Sequence, residues 1–162
     1  MSGRYNMNII LGATGQVGSM LVDNLLDKGQ PVRAVVRDGL KAQGLKNKGV
    51  EVKIADYLDV EALKKAFQGG SSVFLLTPEN PESENFINEI QRIISNYREA
   101  VLSSGISKIV GLSSMGAQHK SGTGNLMASI CLNMHLLILK LKALCPASLL
   151  LQQPGSADPI WQ

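Results

Sequence analysis

The run Asn8-Ile9-Ile10-Leu11-Gly12-Ala13-Thr14-Gly15-Gln16-Val17-Gly18 constrains this chain more than any other stretch. It reads as a buried strand, a glycine-rich turn and the first turn of a helix. Met7 to Leu11 is a β-rich apolar run, and Val17, Met20, Leu21 and Leu25 recur at helical spacing. The spacing of the three glycines suits a dinucleotide. Gly12 permits the tight turn off the strand, Gly15 lets backbone N–H groups approach a pyrophosphate with no Cβ in the way, and Gly18 lets the helix pack closely on the sheet. The phosphate then sits on a helix N-terminus, where unpaired N–H groups and the macrodipole favour an anion without any charged side chain. The competing reading of the same run is a turn that only links strand to helix.

The rest of the chain alternates strand and helix. Pro31 to Arg37 reads as a second strand, with Lys28-Gly29 ending the helix before it. Val50 to Ile54 is a third strand, entered through Lys48-Gly49. Val60 to Phe67 is a short helix that Gln68-Gly69-Gly70 stops, and Ser72 to Leu76 is a fourth strand, apolar on both faces as a central parallel strand should be. The longest helix is predicted from about Ser83 to Ser104, with Phe86, Ile90, Ile93, Ile94, Tyr97 and Val101 on one face. Lys108 to Leu112 is a fifth strand. The pattern predicts an α/β fold, a Rossmann-type doubly wound parallel sheet with right-handed crossovers, cut short after its fifth strand. A ligand of such a sheet lies over the carboxyl ends of the strands, where Gly12, Arg37, Asp56, Thr77 and Ser113 all fall.

Composition narrows the classes. At 162 residues the chain is long enough for one domain with a substantial core and short for that domain plus a substrate domain. A net charge of +3 with interspersed signs gives no nucleic-acid footprint. No basic-plus-apolar leader opens the chain and no apolar run approaches a membrane span, so a cytoplasmic protein without membrane contact is the expectation. Cys131 and Cys145 are too few and too far apart for a metal cluster.

The residue closing the second strand selects between the two nicotinamide dinucleotides: an acidic residue pairs with the ribose 2′-OH, whereas arginine neutralises a 2′-phosphate through its planar fork. Here it is Arg37, which favours NADP, while Asp38 directly after it keeps NAD open. Asp56, after the third strand, is placed to hydrogen-bond the adenine amino group; the other role open to it is a helix cap, for which Asp59 stands better. Thr77-Pro78 follows the fourth strand and can line the nicotinamide ribose, Pro78 holding the chain extended. Ser113 and Ser114 follow the fifth strand. The expected cofactor set is therefore Gly12, Ala13, Thr14, Gly15, Gln16, Val17, Gly18, Arg37, Asp56 with its neighbour Tyr57, Leu76, Thr77, Ser113 and Ser114.

With the glycine run, Arg37, Ala55-Asp56-Tyr57 and Leu112-Ser113-Ser114, the chain resembles the NmrA-like branch of atypical short-chain dehydrogenase/reductase proteins, over about residues 7 to 129. It looks nearest to the NAD(P)H-binding, quinone-oxidoreductase-like members. The resemblance implies a Rossmann fold, an NADPH site, and either reduction of a small carbonyl or quinone or redox sensing without turnover. It also implies a substrate-orienting role for a serine at Ser113 or Ser114. The wider superfamily uses a Tyr-x-x-x-Lys pair as general acid/base, and this sequence has none. No catalytic residue is assigned; His119 is the one side chain near the expected site that titrates around neutral pH.

From about Ile130 the sequence stops resembling its first part. Residues 126 to 162 hold every Cys and Trp and only Lys140, Lys142 and Asp158 as charges. Ile130-Cys131-Leu132-Asn133-Met134-His135 can be encoded by ATA TGC TTG AAC ATG CAC. One nucleotide earlier, with T in front, the string reads Tyr-Met-Leu-Glu-His-Ala, as family members continue. The expected organisation is a Rossmann domain over 1–129, an out-of-frame or divergent tail over 130–162, and no substrate domain. The other reading of the tail is an amphipathic helix over Leu132 to Leu144. With the domain cut short, exposed sheet edges would favour self-association. Three functions stay open: an NADPH-dependent oxidoreductase, a non-catalytic NADP(H)-sensing regulator, and an inactive fragment of either.

Overall fold

The computed structural model describes residues 6–78 and 85–112. Ser113, Ser114, His119 and the whole 130–162 tail lie outside the described residues. The order is β1 (Asn8–Leu11), α1 (Gln16–Asp27), β2 (Val32–Val36), a 3-10 turn (Leu40–Ala42) running into α2 (Gln43–Asn47), β3 (Glu51–Ile54), α3 (Val60–Phe67), β4 (Ser72–Leu75), α4 (Phe86–Ser104) and β5 (Lys108–Gly111). The five strands form one parallel sheet in the order β3-β2-β1-β4-β5, which is the doubly wound order the alternation predicts.

Period-two alternation on the central strands explains why helices cover both faces. Ile9 and Leu11 of β1 point to one face, where Val35, Val73 and Leu75 join Leu63 and Phe67 of α3 and Ile90, Ile93, Ile94, Tyr97 and Val101 of α4. Ile10 points to the other, with Ala34, Val36 and Phe74 against Val22 of α1 and Ala42 and Leu45 of the α2 segment. The face predicted for the long helix is thus the one it buries. Burying this apolar surface on both sides is what makes a parallel sheet stable, at about 25 cal/mol per Å² removed from water. Gly105 ends α4 at φ +72°, a left-handed cap that a Cβ would strain.

Two readings are corrected. Val17 and Met20 do not join the core: they are 46% and 62% exposed, because α1 packs on the sheet through Val22, with Leu21, Leu25 and Leu26 flanking. The segment 40–47, given no element by its sequence, is helical. Glycines at 39 and 44 weaken its intrinsic propensity, but Asp38 Oδ1 accepts from the Leu40 amide at 2.8 Å to start the turn, and Ala42 and Leu45 are buried. The third strand is an edge, so Lys53 and Ile54 face solvent rather than a second layer.

The end of the sheet away from the strands' carboxyl termini is tied by charge. Arg33 of β2 pairs with Glu51 of β3 at 3.0 Å and donates to the Ala66 and Gln68 carbonyls at the end of α3, where the orphan C=O groups of a helix want a cation. Asp59 caps the other end of α3, accepting from the Glu61 and Ala62 amides at 3.0 Å each.

Candidate cofactor site

The turn between β1 and α1 is built on its own backbone. Gly12 adopts φ +64° and its carbonyl accepts from the Gly15 amide at 2.9 Å. Gly18 packs so closely on that carbonyl and on the Ala13 backbone that a Cβ there would have to displace main chain. The contact of Gly18 is therefore with the turn itself, more than with the sheet. Gly15 is different. Its φ of −85° suits any residue, and a Cβ would meet only the Gly12 carbonyl oxygen, at 3.3 Å. The fold demands glycine less strictly at 15 than at 12 and 18, and Gly15 is exposed, which leaves room for a ligand at the turn. Gly15 caps α1 with no side chain, the first turn holds no acidic residue, and Thr14, Gly15, Gln16 and Val17 are exposed while Ala13 is buried. This cradle fits a pyrophosphate: free N–H donors, a positive helix end and no competing cap.

The strand ends after β2 and β3 converge beside it. Tyr57 is buried in the turn after β3, and its phenolic oxygen accepts from the Gly12 amide at 3.2 Å. The guanidinium carbon of Arg37 lies 5.7 Å from the centre of the Tyr57 ring, within cation–π range. Arg37 itself is exposed. Asp38, the alternative partner for a ribose, has Oδ1 turned to the Leu40 amide. Asp56 is exposed with Oδ1 on the Leu58 amide at 2.9 Å, so the sequence-level alternative of helix cap falls to Asp59.

A second tyrosine sits beneath. The Tyr97 ring meets that of Tyr57 edge to face, centroids 5.7 Å apart and planes at 67°. Its hydroxyl donates to the Leu76 carbonyl at 3.1 Å, fixing the segment that leads to Thr77 and Pro78. Leu76 in turn fills the space a Cβ on Gly12 would need. Asn96 donates to the Tyr57 carbonyl at 3.0 Å. Burial pushes the Tyr57 hydroxyl above its ordinary pKa against the opposing pull of the Gly12 amide and Arg37. It pushes Tyr97 well above, with Tyr57 adding and Arg37 opposing. Both phenols are therefore held neutral.

The structure thus places Gly12, Ala13, Thr14, Gly15, Gln16, Val17, Gly18, Arg37, Asp56, Tyr57, Leu76 and Thr77 at the carboxyl end of the sheet. Sequence reasoning missed Tyr97 and Asn96, which it placed only on an apolar helix face or not at all. The available signal was chemical: a tyrosine on a buried stripe must find its hydroxyl a partner. Among the described residues no group of three metal-ligating side chains occurs, and no helix is long and apolar enough to cross a membrane.

Comparison with known proteins agrees with this geometry. Residues 12–140 match a family model described as NAD(P)H-binding. The chain is 36% identical over 89 residues to quinone oxidoreductase 2 of Escherichia coli, covering 51% of this chain and 31% of that protein. It is 36% identical over 76 residues to an NAD(P)H azoreductase of Xenophilus azovorans, covering 47% and 27%. Among solved structures, the Escherichia coli NADPH-dependent quinone oxidoreductase complexed with NADPH superposes with a TM-score of 0.67 at 30% identity, over 83% of this chain and 46% of the other. A Citrobacter sp. triphenylmethane reductase complexed with NADP(H) gives 0.69 at 26% identity over the same shares. The chain spans about a third of the length of those curated relatives and just under half of those solved chains. The match covers most of this sequence and includes its glycine run, and the chain belongs to the NAD(P)H-binding family.

Proposed function

We propose that this chain holds NADPH for hydride transfer to a quinone or small carbonyl acceptor. The observation that carries the choice of NADPH is at the end of β2: the exposed Arg37 guanidinium stands over the Tyr57 ring and makes no hydrogen bond or ion pair among the described residues. The two solved relatives named above are complexed with NADPH and NADP(H). In this reading the first-turn amides of α1 take the pyrophosphate, Arg37 the 2′-phosphate, Asp56 the adenine amino group and Thr77 the nicotinamide ribose. Ser113 or Ser114 orients the acceptor oxygen. The cofactor supplies the hydride; the protein supplies binding and orientation. A cytoplasmic setting accords with a supply of NADPH, and the exposed β3 edge is where copies of the chain would associate.

The test has two parts. Calorimetric titration should show NADPH binding more tightly than NADH, and Arg37→Ala should remove most of the difference, about 1–3 kcal/mol for a charge-assisted contact. Equal affinities in the parent chain would return the ribose role to Asp38. Steady-state oxidation of NADPH with a small quinone then tests turnover.

A second reading is favoured by the tyrosines. Tyr97 donates its hydroxyl proton to the backbone, Tyr57 is buried with its oxygen on the Gly12 amide, and the sequence has no Tyr-x-x-x-Lys pair to supply the superfamily's general acid. A non-catalytic NADP(H) sensor would use the same site. NADPH binding without oxidation across a panel of quinones and carbonyls would select it.

A further inference from the structure

Two tyrosines in edge-to-face contact touch three of the segments assigned to the cofactor: the Gly12 turn and Arg37 through Tyr57, and Leu76 through Tyr97. We propose that Tyr57 is a specificity-determining positioning residue, its ring presenting the Arg37 guanidinium to the 2′-phosphate and its hydroxyl setting the Gly12 turn for the pyrophosphate. The inference rests on the NADPH reading above.

Arg37 is exposed at a strand end, where a free arginine samples many rotamers and must give them up to grip a phosphate. A ring face that already holds the planar guanidinium lowers that loss, which is the general benefit of preorganisation. Tyr57 can serve as such a platform because it is itself fixed. It is 3% exposed, the Tyr97 edge abuts its ring, and Asn96 holds its carbonyl. The hydroxyl does separate work. It occupies the amide of a glycine in a left-handed conformation, the residue from which the turn departs. Phenylalanine would keep the platform and lose the anchor; leucine would lose both.

That difference supplies the experiment. The 162-residue chain, with Arg37→Ala, Tyr57→Phe and Tyr57→Leu, is titrated with NADPH and with NADH, and circular dichroism checks folding. Tyr57→Phe should weaken both dinucleotides by a common factor, about threefold to tenfold, with the NADPH-to-NADH affinity ratio kept within about twofold. Tyr57→Leu should also lower the ratio, by about threefold to fivefold, the loss expected of an exposed cation–π contact. Arg37→Ala should lower it further, by about tenfold or more. A purely structural tyrosine would shift both affinities and leave the ratio alone.

A ratio that survives Tyr57→Leu while Arg37→Ala collapses it overturns the inference and leaves the NADPH reading standing. A parent chain with no preference overturns the reading first. If Tyr57→Leu does not fold, the Arg37 side-chain resonances of Tyr57→Phe decide instead: ring-current shifts support the platform, and random-coil shifts overturn it.

Discussion

The Gly12 amide donates to the Tyr57 hydroxyl at 3.2 Å, joining the turn after β1 to the turn after β3 over the carboxyl end of the intervening β2. Two loops distant in sequence are thereby set against each other before any ligand arrives. The bond also makes the site's stability readable through its phenols.

Burial raises both Tyr57 and Tyr97 above the ordinary tyrosine value near 10. The unfolded chain therefore releases these protons at lower pH than the folded one, so stability is complete below about pH 10 and declines as pH rises beyond it. Alkaline titration followed at the tyrosinate absorbance should show these two phenols ionising together with loss of far-ultraviolet dichroism. Smooth ionisation at pH 10 with the fold intact would contradict their burial.

Glycines at 15 and 18 should respond differently to substitution. Gly15→Val should abolish dinucleotide binding at a smaller cost in melting temperature than Gly18→Val, since its φ is ordinary and its Cβ would press only on the Gly12 carbonyl oxygen, at 3.3 Å. Gly18→Val should destabilise the fold itself by about 3 kcal/mol or more, since main chain must move. Differential scanning fluorimetry and titration with NADPH separate the two.

The Glu51 carboxyl works against some desolvation, but hydrogen bonds and charge from Arg33 and Lys53 hold it below the ordinary carboxylate range. Its contribution is present above the ordinary carboxylate value and is lost as pH falls through the lowered folded one. Thermal melts between pH 3 and pH 6, values chosen to bracket about 4.3, should show a steeper acid loss for the parent than for Glu51→Gln. The side chain is partly exposed, so the difference should shrink in high salt.

Removing the cap of α3 should cost about 1 kcal/mol. Asp59→Ala leaves the Glu61 and Ala62 amides without their acceptor. Urea denaturation should show a lower midpoint with an unchanged slope.

Much of this was legible in the sequence because local pattern and tertiary fate agreed. The glycine run announces its turn, Ile90 to Val101 keep a strict helical stripe, and Val73 to Leu75 are apolar at every position, so the doubly wound parallel sheet and the buried face of α4 follow. The misreadings share one cause, that neighbours decide. Val17 and Met20 carry the right spacing, yet the helix buries Gly18 and Val22 and leaves those two outside. Residues 40–47 have poor propensity and fold on the burial of Ala42 and Leu45. In the site, types of residue announced Arg37 and Asp56, whereas the Tyr57–Tyr97 pair is visible only when strands distant in sequence are placed side by side.

The Gly18 contact on the Gly12 carbonyl makes the segment between them a spacer of fixed length. Its exposed letters, Thr14, Gln16 and Val17, are open to change of chemistry. Its count is not: one residue inserted between Gly12 and Gly18 would lift the helix off the carbonyl it rests on. In drift or in engineering, this stretch should accept new side chains and refuse insertions and deletions, a pattern that deep mutational scanning can read directly.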